Sequence, residues 1–229
     1  YQFRLGRRPT RELPYRQPIE WGGLRLTLFP AGHCLGSAML LAEDDGQTLL
    51  YTGDFKLGDS ATAPRAELPH ADILVMECTY GHPDYRLPPR NAAIEQLLEG
   101  VRAAMASGRM PVVEAYTLGK AQEVTKLLTL AGLPVFQERR VHDISQIYES
   151  FGVHLGSQGL WEGRRRPDPE CVLVMPPGHA RWDPDAPVVR FAVTGWGVDQ
   201  RTKYRLGVDH AIPLSDHADY DELLEAARI

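Results

Sequence analysis

Five short segments share one arrangement: an apolar run ends, and a side chain of a catalytic type follows in the next turn. In α/β proteins, functional groups collect at the carboxyl ends of strands, where loops project over a rigid sheet. Five such segments in one chain exceed what turn formation alone requires. They are His33 in "PAGH", Asp54 in "YTGD", Glu77 in "VMECTYG", Lys120 in "TLGKAQE" and His217 in "SDHADY".

His33 and Asp54 carry side chains that bind a borderline cation such as zinc. Imidazole and carboxylate are both zinc ligands, and a carboxylate can bridge two metal ions. A bridged metal pair generates hydroxide and stabilises an in-line displacement at phosphorus. Two ligands are only half of a site, however. Taken singly, each residue also has a plainer interpretation, as a structural histidine in a tight turn and as a turn or helix-capping carboxylate.

The other three candidates have individual explanations that remain open at this point. Glu77 closes the apolar run "ILVM", so its charge requires a partner if it is buried. Lys120 stands at a predicted helix start, where the helix dipole disfavours a cation unless a bound phosphate removes the conflict. His217 can also lie in the first turn of the last helix, with Ser215 or Asp216 as its cap.

The composition is that of a loop-rich globular chain. Of 229 residues, 43% are hydrophobic and 24% charged, and the net charge of −5 argues mildly against a general polyanion binder. Three widely spaced cysteines without a CxxC pattern indicate buried thiols in a reducing compartment, and no apolar run is long enough to span a membrane, so we expect a cytoplasmic protein. Basic clusters are interpreted as surface loops more readily than as nucleic-acid contacts: Arg4, Arg7, Arg8 and Arg11; Arg139 and Arg140; Arg164, Arg165 and Arg166.

Two kinds of element must position these residues. The first third predicts β-structure, with a hairpin across Asp44-Asp45-Gly46 and a strand buried on both faces in "ADILVMECTYG". The middle alternates predicted strands and helices, which implies a parallel sheet with crossover helices. Its first helix is predicted over "NAAIEQLLEGVRAAMASG", with Asn91 as N-cap and Gly108 as its stop.

The segments "LTLFPAGHCLGSAMLL", "LLYTGDFK" and "DILVMECTYG" resemble consecutive motifs of the metallo-β-lactamase superfamily, in its β-CASP nuclease branch. The segments "VVEAYTLGKAQEV" and "AIPLSDHADYDELL" resemble later landmarks of the same branch. Order and spacing match along nearly the whole chain. The compact middle, together with "YTLGKAQ", "TGWG" and "LSDHADY", looks most like the bacterial DNA-ligase-associated exonucleases, and the cleavage-and-polyadenylation endonucleases are near relatives.

The resemblance implies a role for each candidate. His33 would ligate one zinc ion, and Asp54 would bridge two. Glu77 would open the β-CASP insertion and orient His217, which would donate a proton to the leaving oxygen or contact a phosphate. Three residues would bind substrate: Lys120, Ser215 and Thr79.

Two family features are absent from the printed sequence. The His-x-His-x-Asp-His signature, which supplies most zinc ligands, would lie before Tyr1, and a further "His-Gly" turn would follow Ile229. We therefore expect a fragment of a zinc nuclease, and we expect the 229-residue piece to bind zinc poorly and to be inactive by itself.

The fold class implied is α/β: a partial metallo-β-lactamase αββα sandwich with an inserted β-CASP α/β cap. The expected domains are residues 1–81 and 196–229 in the sandwich and 82–195 in the cap, with a parallel cap sheet, a mixed remainder and the active site between them. The implied activity is that of a two-zinc phosphodiesterase, most simply a DNA exonuclease in DNA repair with a DNA ligase or helicase as partner. An RNA-processing β-CASP nuclease and a non-catalytic scaffold are the alternatives.

Overall fold

The computed structural model describes residues 6–7, 9–163, 168–178 and 186–229. Within them the first third forms a five-stranded sheet in the order β1-β2-β3-β4-β5. Neighbouring strands are antiparallel except β4 and β5, which are parallel, so this sheet is mixed, as predicted. Its strands are β1 (Ile19–Trp21), β2 (Leu24–Pro30), β3 (Ala38–Asp44), β4 (Gln47–Tyr51) and β5 (Ile73–Val75).

The predicted hairpin joins β3 and β4. Asp44 pairs with Gln47, so the loop consists of Asp45 and Gly46 alone. Both residues have positive φ values, 42° and 86°, as a two-residue turn between twisted strands requires.

The prediction that "ADILVMECTYG" forms a strand buried on both faces is wrong. β5 has three residues and lies at the edge of its sheet, paired with β4. Ile73 and Val75 are 49% and 43% exposed, and Leu74 between them packs into the core. Only one face of this sheet is covered by the described residues, so alternate apolar side chains of the run remain exposed.

The second sheet has six strands in the order β11-β10-β6-β9-β7-β8, and every pairing in it is parallel, as predicted. β11 belongs to this sheet by hydrogen bonding to β10, although it lies beyond the expected boundary at residue 195. The two sheets fit a metallo-β-lactamase-like fold, whereas the domain boundaries and the cap stay predictions. The strands are β6 (Met110–Glu114), β7 (Val135–Gln137), β8 (Gln158–Leu160), β9 (Val172–Met175), β10 (Val188–Val193) and β11 (His210–Ile212).

Five α-helices and one 3-10 turn, Gly195–Val198, complete the described chain. The first helix has Pro89 at its N-cap position, without a side-chain hydrogen bond. Asn91, which was predicted as the N-cap, lies inside the helix. The last helix is capped by Asp219 in a capping box with Glu222, and not by Ser215 or Asp216. The helices are α1 (Arg90–Ala106), α2 (Lys120–Leu130), α3 (Arg139–Ser150), α4 (Thr202–Leu206) and α5 (Tyr220–Ala226).

Two apolar cores stabilise the two sheets. The core of the parallel sheet packs α1 and α2, through residues such as Leu97 and Val124, against strand residues such as Phe191. The core of the mixed sheet combines Met39 and Leu50 with residues of α5. Because the chain leaves β11 in one sheet and packs α5 on the other, residues 213–219 cross between them. This crossing carries His217 to the strand ends of the mixed sheet.

Candidate metal centre

The turn after β2 places His33 beside Asp54. Gly32 has a φ of +77°, and a Cβ at this position would collide with the carbonyl oxygen of Lys56. The backbone N–H of Lys56 also donates to the carbonyl of Ala31 at 2.9 Å. Glycine therefore allows the "PAGH" turn to lie directly on the "TGDFK" loop, and His33 Nε2 lies 4.0 Å from Asp54 Oδ2.

The imidazole of His33 is anchored through its other nitrogen. Its Nδ1 lies 3.0 Å from the backbone carbonyl oxygen of Asp216, which fixes Nδ1 as the donor. The Nε2 lone pair then faces Asp54. A ring whose Nδ1–H is held by a backbone carbonyl is a common arrangement for a metal-ligating histidine.

His217 joins these two residues from the crossing segment. Its ring centroid lies 4.7 Å from that of His33. Ligand atoms of His33, Asp54 and His217 all lie within 4.8 Å of one another, so the three side chains could hold one metal ion. The structure thus brings together three predicted site residues that are distant in sequence.

Glu77 orients His217, as the resemblance implies. His217 Nδ1 lies 3.0 Å from both carboxylate oxygens of Glu77, and the backbone N–H of Phe55 donates to Oε1 at 2.8 Å. Burial alone would raise the pKa of Glu77, but hydrogen bonds from His217, Thr79 and Phe55 leave it below its ordinary value. The buried carboxylate therefore has the partner that the sequence required.

Burial also affects the pKa of His217, in the direction opposite to its effect on the pKa of Glu77. Desolvation alone would lower the pKa of this imidazole, but the hydrogen bond and charge of Glu77 raise it above the ordinary value. The carboxylates of Asp216 and Asp54 contribute in the same sense. His217 is thus favoured in its protonated form when no cation lies beside it.

The donor set fits a borderline divalent cation such as zinc. Both imidazoles have Nδ1 engaged by an oxygen acceptor, so each offers Nε2 to the space beside the carboxylate of Asp54. Second-layer acceptors of this kind orient metal-binding histidines and increase their basicity. His33 and Asp54, the two residues predicted as ligands, would make a partial ligand set, and His217 faces the same space.

Lys120 does not have the setting expected for a phosphate contact. Its side chain is 1% exposed, and its Nζ lies 3.1 Å from Glu123 Oε2 and 3.6 Å from Asp216 Oδ1. Arg90 also pairs with Glu123, at 2.6 Å. Carboxylates rather than a bound phosphate therefore offset the unfavourable position of this cation at the helix start, and a contact of Lys120 with substrate stays a prediction.

The other two predicted substrate contacts also serve the protein's own structure. Ser215 is buried, and its hydroxyl donates to the carbonyl of His217 and accepts from the backbone N–H of the same residue, both at 2.9 Å. Thr79 hydrogen-bonds the carboxylate of Glu77. Both residues therefore shape the histidine–glutamate pair, and any contact of theirs with substrate stays a prediction.

Two residues that sequence reasoning missed complete this environment. The ammonium of Lys56 is buried and donates to the carbonyl of Ser215 at 3.1 Å, and burial lowers its pKa to about 8. Glu123 is buried between cations, chiefly Lys120, Lys56 and Arg90, which together hold its pKa well below the usual range despite the opposing effect of burial. The spacing of Lys120 and Glu123, three residues apart on a helix, was the available signal.

The basic clusters contribute nothing to this centre in the described residues. Arg140 pairs with Glu138 on the surface of α3. Arg4, Arg8 and the run Arg164–Arg166 lie outside the described residues. No described helix is both long and apolar enough to cross a membrane.

Comparison with known proteins gives partial matches. No protein-family model matches the chain. The chain is 36% identical over 211 residues to a "Probable DNA ligase" of Opitutus terrae, covering 87% of this chain and 20% of that protein. It is 29% identical over 137 residues to an "RNase J-like protein" of Methanocaldococcus jannaschii, covering 56% and 32%. It is 34% identical over 116 residues to cleavage and polyadenylation specificity factor subunit 3 of Dictyostelium discoideum, covering 50% and 15%.

These relatives indicate the metallo-β-lactamase and β-CASP nuclease family. The chain spans 15% to 32% of the length of these curated relatives. Two of the three names are those of RNA-processing proteins, and the third is that of a probable DNA ligase. The names of these relatives leave the choice between DNA and RNA open.

Proposed function

We propose that this chain is part of a metal-dependent phosphodiesterase that hydrolyses nucleic acid. The observation that carries the proposal is the convergence of His33, Asp54 and His217 within 4.8 Å, with both imidazoles anchored at Nδ1. A turn histidine or a capping carboxylate would not require this convergence. A non-catalytic scaffold would not require the buried glutamate behind His217 either.

In this mechanism, His33 and Asp54 would hold the cation. A bound divalent ion such as zinc supplies positive charge that polarises a phosphoryl oxygen and lowers the pKa of a water molecule. The protein contributes orientation: the carbonyl of Asp216 fixes the His33 ring, and Gly32 fixes its distance from Asp54. Asp54 would bridge a second ion when further ligands complete the site.

His217 serves as the general acid. Glu77 accepts a hydrogen bond from Nδ1–H and stabilises the imidazolium, so Nε2 carries the proton that the leaving oxygen needs. Ser215 and Lys56 hold the backbone of this segment in place. A positioned acid of this kind contributes about 10²- to 10⁴-fold to the rate.

We propose DNA as the substrate and exonucleolytic repair as the role. The match to a "Probable DNA ligase", which extends over 87% of this chain, supports DNA, and a ligase or helicase partner stays a prediction. The RNase J-like protein and the polyadenylation factor support the alternative of RNA processing. A cytoplasmic location remains a prediction. The described cysteines form no disulfide. Cys34 and Cys171 are buried as predicted, whereas Cys78 is exposed.

The test compares this chain with the protein encoded by the complete reading frame that contains it. Each is assayed for bound zinc and for cleavage of matched single-stranded DNA and RNA. We expect metal-dependent cleavage, preferentially of DNA, by the complete product and weak zinc binding without cleavage by the chain alone. Preference for RNA would favour the alternative, and tight stoichiometric zinc or cleavage in the chain alone would refute the fragment hypothesis.

A further inference from the structure

A second cavity lies at the carboxyl ends of the parallel strands. β6 ends at Glu114 and its neighbour β10 at Val193, with Ala192 paired to Glu114. The chain leaves β6 through α2 towards β7 on one side, and leaves β10 towards β11 on the other. In open parallel sheets, the crevice where successive connections diverge in this way is where ligands bind.

The described residues around this crevice enclose about 660 Å³. This volume suits a ligand of nucleotide size. The lining is largely apolar, with two aromatic rings and one guanidinium at its border. The lining residues used here are Glu114, Tyr116, Thr194, Trp196, Arg205 and Leu206.

Tyr116 is the notable member of this lining, because its side chain is 59% exposed immediately after a buried strand. An exposed ring beside apolar walls offers a face on which a planar group can stack. The guanidinium of Arg205 lies 3.6 Å from Asp199 Oδ2, but its side chain is 59% exposed, so it can also meet a phosphate at the border. The carboxylate of Glu114, in the floor of the cavity, repels a bound anion only weakly, because it is paired with Arg190.

Aromatic rings connect this cavity to the candidate metal centre. Trp196 contacts Tyr80 with ring centroids 4.8 Å apart, and Tyr80 lies 6.2 Å from His217. Tyr80 also hydrogen-bonds Thr194, which lines the cavity, and Ser215, which hydrogen-bonds the backbone of His217. The cavity and the metal centre therefore lie close to each other, on either side of the buried ring of Tyr80.

We propose that this cavity binds the base of a nucleotide next to the scissile phosphodiester, with the base stacked on Tyr116 and its phosphate near Arg205. The proposal rests on the proposed nuclease function and adds a position at which the enzyme holds an unpaired base. A base inside a duplex cannot enter the cavity, so the substrate is single-stranded at this point. Stacking tolerates every base, so the site selects strandedness rather than sequence.

The test measures binding of a fluorescent single-stranded DNA oligonucleotide to the complete reading-frame product in EDTA, where no cleavage occurs. Tyr116→Ala should weaken binding about tenfold, and Tyr116→Phe, which keeps the ring, should leave it within about twofold. Phe151→Ala, which removes a more exposed ring, 74% against 59%, at the end of α3, is the control and should change nothing. Equal binding by Tyr116→Ala and the wild-type protein would overturn the proposal.

A second measurement varies the oligonucleotide. A series of oligonucleotides, each with one abasic position, should show one position at which loss of the base weakens binding to the wild-type protein but not to Tyr116→Ala. Uniform affinity along the series would overturn the cavity proposal, and so would saturable binding of a free mononucleotide as tight as that of the oligonucleotide. Absence of both binding and cleavage of nucleic acid by the wild-type protein would instead refute the proposed function itself.

Discussion

His217 Nδ1 lies 3.0 Å from both carboxylate oxygens of Glu77, although 140 positions separate the two residues in the sequence. The contact joins the strand end of the mixed sheet to the segment that crosses from the parallel sheet. It leaves Nε2 facing His33 and Asp54. One interaction therefore both assembles the centre and sets the protonation of its acid.

Glu77→Gln should lower the pKa of His217 in the metal-free protein, because the neutral amide cannot stabilise the imidazolium. The wild-type pKa is raised above 6.5, so the stability gained from this pair is fully present below that pH and is lost as the pH rises through the raised pKa. Histidine ring resonances followed by NMR over pH 5–9 give the measurement. An unchanged His217 titration would contradict the assigned role of Glu77.

His217→Ala should reduce nucleic-acid cleavage by the complete reading-frame product about 100-fold or more, since it removes the general acid. Metal content should remain unchanged, because His33 and Asp54 are assigned as ligands. His154→Ala is the control, since this histidine is 86% exposed and pairs only with surface Glu149 among the described residues. Loss of metal together with loss of activity would show that His217 is a ligand instead.

Glu123→Gln should destabilise the chain by about 3–5 kcal/mol at pH 7, because it leaves buried cations without their carboxylate. The pKa of Glu123 is lowered from 4.5, so its contribution is present above that pH and is lost as the pH falls through the lowered pKa. Urea unfolding of both proteins from pH 7 down to pH 3 should show the difference shrinking on acidification.

The control for this buried network is Glu99→Gln, the same substitution on the exposed side of α1. It should leave the unfolding midpoint within experimental error. A loss of equal size at both positions, or a difference that stays constant with pH, would contradict the network described around Glu123.

Gly32→Ala should cost about 3 kcal/mol or more and weaken metal binding, since the new Cβ collides with the carbonyl of Lys56. Gly36→Ala is a matched comparison in the same turn, with a φ of +79° but nothing within 4 Å of the new Cβ. It should cost only the roughly 1–2 kcal/mol of a left-handed backbone. Thermal unfolding and zinc titration of the two variants give the measurement, and equal effects would show that the close approach to Lys56 is unimportant.

Local signals predicted much of the fold correctly. The Asp45-Gly46 turn and the strand–helix alternation depend on neighbouring residues, and both the hairpin and the parallel sheet are confirmed. The failures arise where distant parts of the chain decide the outcome. The apolar run at Ile73–Val75 reads as buried on both faces, yet its strand lies at a sheet edge.

The candidate site shows the same division. Residue type and position after a strand were enough to identify four candidates, because few side chains can bind a divalent cation or transfer a proton. They are His33, Asp54, Glu77 and His217. The sequence does not show which charged side chains are buried. It therefore predicts a phosphate contact for Lys120, whose buried ammonium lies beside the carboxylates of Glu123 and Asp216. Lys56 was missed because its partner Ser215 lies on another element, and for Glu123 the i,i+3 spacing to Lys120 does not show the burial or the pairing with Arg90.

The most direct test of the metal-dependent phosphodiesterase is the cleavage rate of labelled single-stranded DNA by the complete reading-frame product with and without Asp54→Asn. The account predicts a loss of at least about 100-fold, with reduced zinc content, because the amide is a poor metal ligand. Asp84→Asn, which alters an exposed aspartate beside His82, should retain full activity. Undiminished, metal-dependent cleavage by Asp54→Asn would contradict the assignment of this centre.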